Sequence, residues 1–230
     1  MFDARRFENI MRQKIVVVDH NGGNLASAST SVTFAAQKAG LAIDVIISGA
    51  PADIMAADRL ILPGQGAFNH CAKAVQGPLL TALHAATEAG TPYLGICVGM
   101  QLMAARGLEH GETTGFGWIR GTVDIMTEAR EAGLRLPHMG WNNLEFEPDA
   151  HPLLRNIAPG EHGYFVHSYA LQDYDPADVI ASTTYGGKVP AIVARGNRCG
   201  TQFHVEKSQH VGIQFLINFL TWSPSNMAVI

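Results

Sequence analysis

Residues 92–101 read Pro-Tyr-Leu-Gly-Ile-Cys-Val-Gly-Met-Gln, and no other stretch says as much about the architecture. An apolar run leads into Cys97, which has a glycine two residues away on each side, and a helix-like pattern follows. In a turn this tight, a side chain at either glycine would collide with neighbouring backbone. The turn also aims the sulfur at a helix N-terminus, whose partial positive charge favours a thiolate. The stretch predicts a nucleophile elbow.

The alternative is a buried, inert cysteine in a turn that happens to contain glycine. The strand–turn–helix context around Cys97 favours the elbow over this alternative. Cys71, within Asn-His-Cys-Ala, and Cys199, within Arg-Cys-Gly, lack such surroundings and are predicted to be unreactive. The chain is therefore interpreted as a cysteine-nucleophile enzyme.

Composition narrows the class of protein. A chain of 230 residues with 47% hydrophobic residues is long enough for one large domain with a sizeable core. A net charge of −4 with no Lys/Arg cluster argues against nucleic-acid binding. Three unevenly spaced cysteines favour a reducing compartment, and no apolar stretch approaches the ~18 residues of a membrane span. Since residues 1–14 lack the apolar centre of a signal peptide, we expect a cytoplasmic protein away from membranes.

Before Cys97, buried-type strands alternate with amphipathic helices, which indicates a parallel sheet covered on both faces. The predicted strands are Ile15–Asp19, Ile43–Ile47, Arg59–Leu62 and Pro92–Ile96, and the predicted helices are Ser27–Ala39, Pro51–Ala57 and further helical patterns through Ala89.

The second half has shorter strand candidates and one final helix. The strands are predicted at Phe116–Met126, Pro137–Phe146, Tyr164–Leu171, Val179–Ser182, Ala191–Arg195 and Arg198–Phe203, and the helix at Ser208–Leu220. We therefore predict one α/β domain over residues 15–222, with a mostly parallel central sheet flanked by helices and smaller antiparallel strands in the second half. Residues 1–14 form an N-terminal extension and residues 223–230 a tail in this interpretation.

A thiolate nucleophile needs a proton shuttle and a group that orients it. Two His-x-Glu pairs are present, and the first, His110-Gly111-Glu112, falls in a polar glycine-rich stretch that suggests a solvated loop. The second, His204-Val205-Glu206, follows a strand that reaches the same sheet edge as the elbow. If this segment is extended, His204 and Glu206 face the same side. The alternative is a salt-bridged surface pair; the elbow favours a catalytic one.

Acyl chemistry also needs hydrogen-bond donors for a developing oxyanion. The backbone N–H of Val98, directly after the nucleophile, is one candidate. The second is predicted in the turn Pro63-Gly64-Gln65-Gly66, whose glycines permit backbone flips. The same turn could instead be an ordinary tight connection.

These motifs together resemble a known family. Gly-Ile-Cys-Val-Gly-Met-Gln at 95–101 and Gln-Phe-His-Val-Glu-Lys-Ser at 202–208 resemble the class I (triad-type) glutamine amidotransferases. The blocks at 63–68, 137–142 and 164–169 are similar to the glutaminase subunits of imidazole glycerol phosphate synthases. The similarity spans about residues 15–220. Three residues depart from the family: His20 stands where Tyr is usual, Gln65 where Val is usual, and Val205 where Pro is usual.

The resemblance implies a flavodoxin-like fold and a glutaminase without cofactor or metal. Cys97 would attack the glutamine side-chain amide, and His204 would pass a proton to the leaving ammonia and then activate water. Gly64, Gln65 and Val98 would hold the oxyanion. The implied glutamine pocket comprises Gly66, Gly99, Gln101, His167, Ser168 and Tyr169.

The resemblance also implies a partner, because ammonia released into neutral water becomes non-nucleophilic ammonium. The partner would be a (β/α)₈ cyclase forming a heterodimer with this chain and making imidazole glycerol phosphate and an aminoimidazole ribotide. Partner binding is expected to shift Gly64–Gly66 into the productive oxyanion geometry. The implied interface residues are Asn24, His138, Met139, Trp141, Asn142 and Lys207.

Three other functions stay open at this point. One is the glutaminase subunit of another synthase, such as one for pyridoxal phosphate or anthranilate, which identification of a co-purified partner would reveal. Another is a free-standing cysteine hydrolase of γ-glutamyl compounds, which would turn over rapidly without a partner. The third is a non-catalytic scaffold, whose Cys97 would resist selective alkylation.

Overall fold

The computed structural model describes residues 12–224. Most of the predicted extension and tail, residues 1–11 and 225–230, lies outside the described residues, and both domain boundaries stay predictions. The first strand begins at Gln13, inside the predicted extension.

Thirteen strands occur within residues 12–224. They are β1 (Gln13–Val18), β2 (Ile43–Ser48), β3 (Arg59–Gly64), β4 (Tyr93–Cys97), β5 (Arg106–Gly107), β6 (Thr113–Thr114), β7 (Thr122–Ile125), β8 (His138–Asn143), β9 (His162–His167), β10 (Tyr169–Gln172), β11 (Val179–Tyr185), β12 (Gly187–Arg195) and β13 (Arg198–Thr201).

Seven α-helices connect or cover these strands in the described part. They are α1 (Leu25–Ala39), α2 (Pro51–Met55), α3 (Phe68–Ala74), α4 (Pro78–Glu88), α5 (Val98–Gln101), α6 (Thr127–Glu131) and α7 (Gln209–Thr221). Gly40 ends α1 in a left-handed conformation, and its N–H bonds the carbonyls of Ala36 and Gln37. Glycine tolerates this backbone geometry, which is why it marks the helix end in the sequence.

The central sheet has the strand order β11-β12-β13-β4-β3-β1-β2. Strands β2, β1, β3, β4 and β13 run parallel, and β11 and β12 add an antiparallel hairpin at one edge. Smaller sheets have the orders β10-β7-β5-β6 and β8-β9. The predicted α/β class, with a mostly parallel sheet and antiparallel strands in the second half, is confirmed. The parallel order brings the ends of β3, β4 and β13 to one edge, where the candidate site lies.

All six strands predicted in the second half differ from the structure, three of them only in their bounds, which are those of β8, β11 and β12. Of Phe116–Met126 only β7 is a strand, because the N–H groups of Phe116 and Trp118 bond the Leu102 and Met103 carbonyls at the end of the α5 segment. The predicted strand at 164–171 is interrupted at Ser168, so that β9 pairs with β8 while β10 pairs with β7. The predicted strand at 198–203 ends at Thr201.

No helix within residues 12–224 is long and apolar enough to cross a membrane.

Candidate active site

The turn after β4 holds Cys97 in a conformation that side chains rarely adopt, with φ of 54°. A Cβ atom at Gly95 would overlap the Gly99 carbonyl, and one at Gly99 would overlap the Leu62 carbonyl. The hydroxyl of Tyr93, fully buried beneath the turn, donates to the Gly99 carbonyl at 3.0 Å. Close backbone packing thus fixes the Cys97 side chain at the sheet edge.

His204 and Glu206 lie next to this cysteine. His204 Nδ1 contacts Glu206 Oε1 at 2.8 Å, and the imidazole lines the same cavity as the Cys97 side chain. The segment is not extended as predicted, because Val205–Lys207 forms a turn of 3₁₀-helix. That turn still returns the Glu206 carboxylate to the His204 ring, and both side chains are buried.

The charge of His204 follows from these contacts. Burial alone lowers the pKa of His204, but hydrogen bonds and charge attraction from Cys97 and Glu206 outweigh it and raise the pKa to about 10. The cause is the stabilisation of the imidazolium by the Glu206 carboxylate and the Cys97 sulfur. At neutral pH the arrangement therefore favours a protonated imidazole between a carboxylate and a sulfur.

An open cavity of about 560 Å³ lies above the cysteine, large enough for an amino acid. Ten of the predicted site and interface residues form its wall, with Glu109 and Val166. The ten are Gln65, Gly66, Cys97, Val98, Gln101, His167, Ser168, Tyr169, His204 and Lys207. Gly64 and Gly99 are outside this wall and serve close backbone packing instead.

The predicted oxyanion turn follows β3. Gly64 pairs in register with Cys97, and a Cβ atom there would come within 2.6 Å of the Gly99 nitrogen. Gln65 and Gly66 are exposed, and Gly66 has φ of +90° with open space around it. The Val98 N–H, at the first position of α5, has no partner within the helix. Backbone donors can therefore approach the cavity from both turns.

Gln101 is buried rather than a helix-surface residue. Its amide nitrogen donates to the Tyr169 carbonyl at 3.0 Å and to Gln202 Oε1 at 3.1 Å. Both amide hydrogens are thereby used, which leaves the Gln101 oxygen as the polar atom that it can offer to a ligand.

Sequence reasoning missed two residues of this site. Glu109 directly precedes residues 110–112, which are predicted to be a solvated loop, but its carboxylate accepts the N–H of Phe68 at the start of α3 at 2.8 Å and faces the cavity. Gln202 is fully buried, and its amide contacts Cys97 Sγ at 3.7 Å. No spacing marks Glu109, whereas the position of Gln202 two residues before His204 offered a weak indication.

The predicted interface residues divide into two groups. Met139 and Trp141 on β8 are 63% and 47% exposed, and Lys207 is also exposed. Asn142 is half-buried, and Asn24 lies apart at the start of α1.

The prediction for His138 needs correction. Its ring is buried and stacks between Phe165 and Tyr185, with ring centroids 4.8 and 4.1 Å away. A ring enclosed on both faces presents no surface to a partner.

The fold and the site agree with the comparisons with known proteins. The sequence profile described as glutamine amidotransferase class-I matches residues 23–221. The chain therefore belongs to the class I glutamine amidotransferase family. Among solved structures, PurLQS from Thermotoga maritima aligns with a TM-score of 0.65 over 91% of this chain and 98% of that one. At 19% identity this likeness concerns the fold alone.

Sequence relatives narrow the assignment. The HisH subunit of imidazole glycerol phosphate synthase from Gluconobacter oxydans is 60% identical, over 91% of this chain and 99% of that protein. The corresponding HisH subunit from Granulibacter bethesdensis is 53% identical, over 92% of this chain and 97% of that protein. Within its family, the chain groups with these HisH subunits.

Proposed function

We propose that the chain is the glutaminase subunit of an imidazole glycerol phosphate synthase and releases ammonia from glutamine at Cys97. The observation that carries this proposal is that Cys97 and His204 line one cavity, with the His204 ring oriented by Glu206. A nucleophile, a proton carrier and an orienting carboxylate are the parts that acyl transfer through cysteine requires.

The chemistry follows from the charges of the free site. The Cys97 thiolate attacks the side-chain carbonyl carbon of glutamine, and the carbonyl electrons move onto oxygen. Protonated His204 then gives its proton to the leaving nitrogen, so that ammonia departs and a glutamyl thioester forms. Neutral His204 next removes a proton from water, which attacks the thioester and releases glutamate and the thiolate. Backbone N–H groups of Val98 and Gln65 stabilise the oxyanion in both steps.

Glutamine binding would use the opposite wall of the cavity. Ser168 and Tyr169 supply backbone polar groups, and Gln101 supplies its amide oxygen. The Glu109 carboxylate provides the negative charge that the α-ammonium group of glutamine requires.

Ammonia transfer requires a second active site, and the exposed face of β8 supports a heterodimer with a (β/α)₈ cyclase. Met139 on β8 pairs with Val166 on β9, and Val166 lines the cavity. A partner that covers Met139 and Trp141 would therefore sit next to the mouth of the cavity. Large exposed apolar residues are typical of such anchors. The cyclase would then receive ammonia before water protonates it.

The cytoplasm is the compartment that we propose for this reaction. Cys71, Cys97 and Cys199 are all free and buried, which suits a reducing environment.

The test is a glutaminase assay of the chain with and without the cyclase subunit. Wild type should form glutamate, and more rapidly with the cyclase and its ligand, whereas Cys97→Ala should lose at least about 10³-fold in kcat because the nucleophile is gone. Cys199→Ser is the matched control: this thiol donates to the Tyr93 carbonyl in the core at 3.3 Å, and its loss should leave turnover unchanged. Equal activity of wild type and Cys97→Ala would refute the proposal.

A further inference from the structure

Gln202 is a fully buried amide whose hydrogen bonds all lead into the site. Its nitrogen contacts Cys97 Sγ at 3.7 Å, and its oxygen accepts from Gln101 at 3.1 Å. Within residues 12–224 its side chain has no other hydrogen-bond partner. Burying an amide costs free energy unless the amide is hydrogen-bonded. If this position only filled space, an apolar side chain would therefore stabilise the fold more.

The direction of each bond can be assigned from one fixed point, the Tyr169 carbonyl. A carbonyl only accepts, so the atom of Gln101 that contacts it must be the NH₂ group. The second hydrogen of that group then points to Gln202, whose contacting atom must be oxygen. The remaining group of Gln202 is NH₂, and it faces the sulfur. Gln101 thereby forces Gln202 to present a donor to Cys97.

The same carbonyl fixes two histidines. His167 Nδ1 lies 2.9 Å from the Tyr169 carbonyl and must carry a hydrogen, so its Nε2 accepts from His138 Nδ1 at 3.1 Å. His138 Nε2 then accepts from the Asn142 amide at 3.2 Å. Burial lowers the pKa of His138 to about 4 and that of His167 to about 3, so both rings are neutral with one hydrogen each. Every link has one donor and one acceptor.

We propose that Gln202 is a positioning residue that holds the Cys97 sulfur through its amide N–H, with its orientation set by Gln101 and the Tyr169 carbonyl. This inference rests on the proposed glutaminase function and adds a second support for the nucleophile. A donor directed at sulfur stabilises negative charge on it and restricts its rotation. A separate chain of bonds runs from Asn142 on β8, the strand that carries Met139 and Trp141, to the same Tyr169 carbonyl.

Two substitutions test this role with the cyclase subunit present. Gln202→Met keeps the length of the side chain but removes the donor. Gln202→Glu keeps an acceptor for Gln101 but turns an oxygen toward the sulfur. We expect kcat to fall about tenfold in Gln202→Met and further in Gln202→Glu. The KM for glutamine should stay within about twofold of the wild-type value. The second-order rate of Cys97 alkylation by iodoacetamide, followed by peptide mass spectrometry, should fall in parallel.

Gln172→Met is the matched control, because the Gln172 amide donates to the Ile125 carbonyl at 2.8 Å and contacts no residue of the site. It should leave kcat and alkylation at the wild-type values. If Gln202 is only structural, its variants will lower the melting temperature while the kcat and alkylation of the folded protein stay unchanged, which overturns the inference. Alkylation needs no glutamine, so an inactive wild type would count against the proposed function and not against this role.

Discussion

Two turns meet at the candidate site and are built in opposite ways. In the elbow, Gly95 and Gly99 lie so close to other backbone that a methyl group at either would overlap a carbonyl. In the turn after β3, Gly66 has nothing within 4 Å of the position where a Cβ would be, and Gln65 beside it is exposed. The attacking atom is therefore held by packing, whereas the backbone that would receive the oxyanion has room to reorient.

The tightly packed backbone and the backbone with room to move adjoin within the turn after β3. His20 Nε2 contacts the Pro63 carbonyl at 2.8 Å, and both residues are buried. Gly64 packs against the elbow, so the constrained part ends there and the free part begins at Gln65. A site with one fixed wall and one adjustable wall suits a reaction that partner binding is expected to switch on.

The largest expected effect comes from adding one methyl group to the elbow. Gly99→Ala should lower the free energy of unfolding by about 3 kcal/mol or more and abolish glutaminase activity, since its Cβ overlaps the Leu62 carbonyl. Urea unfolding and the activity assay measure the two effects. Gly40→Ala, in open space but at φ of +66°, should cost only about 1 kcal/mol. Equal losses for the two variants would mean that packing does not fix the elbow.

A second effect concerns the two neutral histidines behind the fixed wall. Their folded-state pKa values lie below the ordinary value of 6.5, so the unfolded chain takes up protons that the folded chain refuses. The stability that they contribute is complete above pH 6.5 and is lost as the pH falls toward 4 and 3. Between pH 7 and 5 we expect a loss of roughly 3–4 kcal/mol from this pair in urea unfolding.

Variants separate this pair from the other histidines. His138→Phe keeps a ring between Phe165 and Tyr185 but removes one titrating group, so it should flatten the pH dependence by about half. His70→Gln changes an exposed histidine and should leave the slope as it is. An unchanged slope for His138→Phe would show that its ring is not held neutral.

The sequence was most informative where local geometry decides the structure. Glycine spacing around Cys97 predicted the elbow because steric overlap depends on a few consecutive residues. The strand prediction failed for residues 116–119, because their N–H groups bond carbonyls of residues 102–104, which directly follow α5. Sequence reasoning also failed for His138 and Glu109. The burial of His138 and the exposure of Glu109 to the cavity both depend on residues far away in the chain.

The smallest expected effect comes from the free turn. Gly66→Ala meets no atom, but alanine is strained at φ of +90°, which should cost about 1 kcal/mol. That strain shifts a two-state turn about fivefold, so turnover with the cyclase bound should change by about this factor. Alkylation of Cys97 should stay at the wild-type rate, because the elbow is untouched. If Gly66→Ala instead lowers stability and alkylation as Gly99→Ala does, the two turns form one rigid unit, and partner activation must act elsewhere.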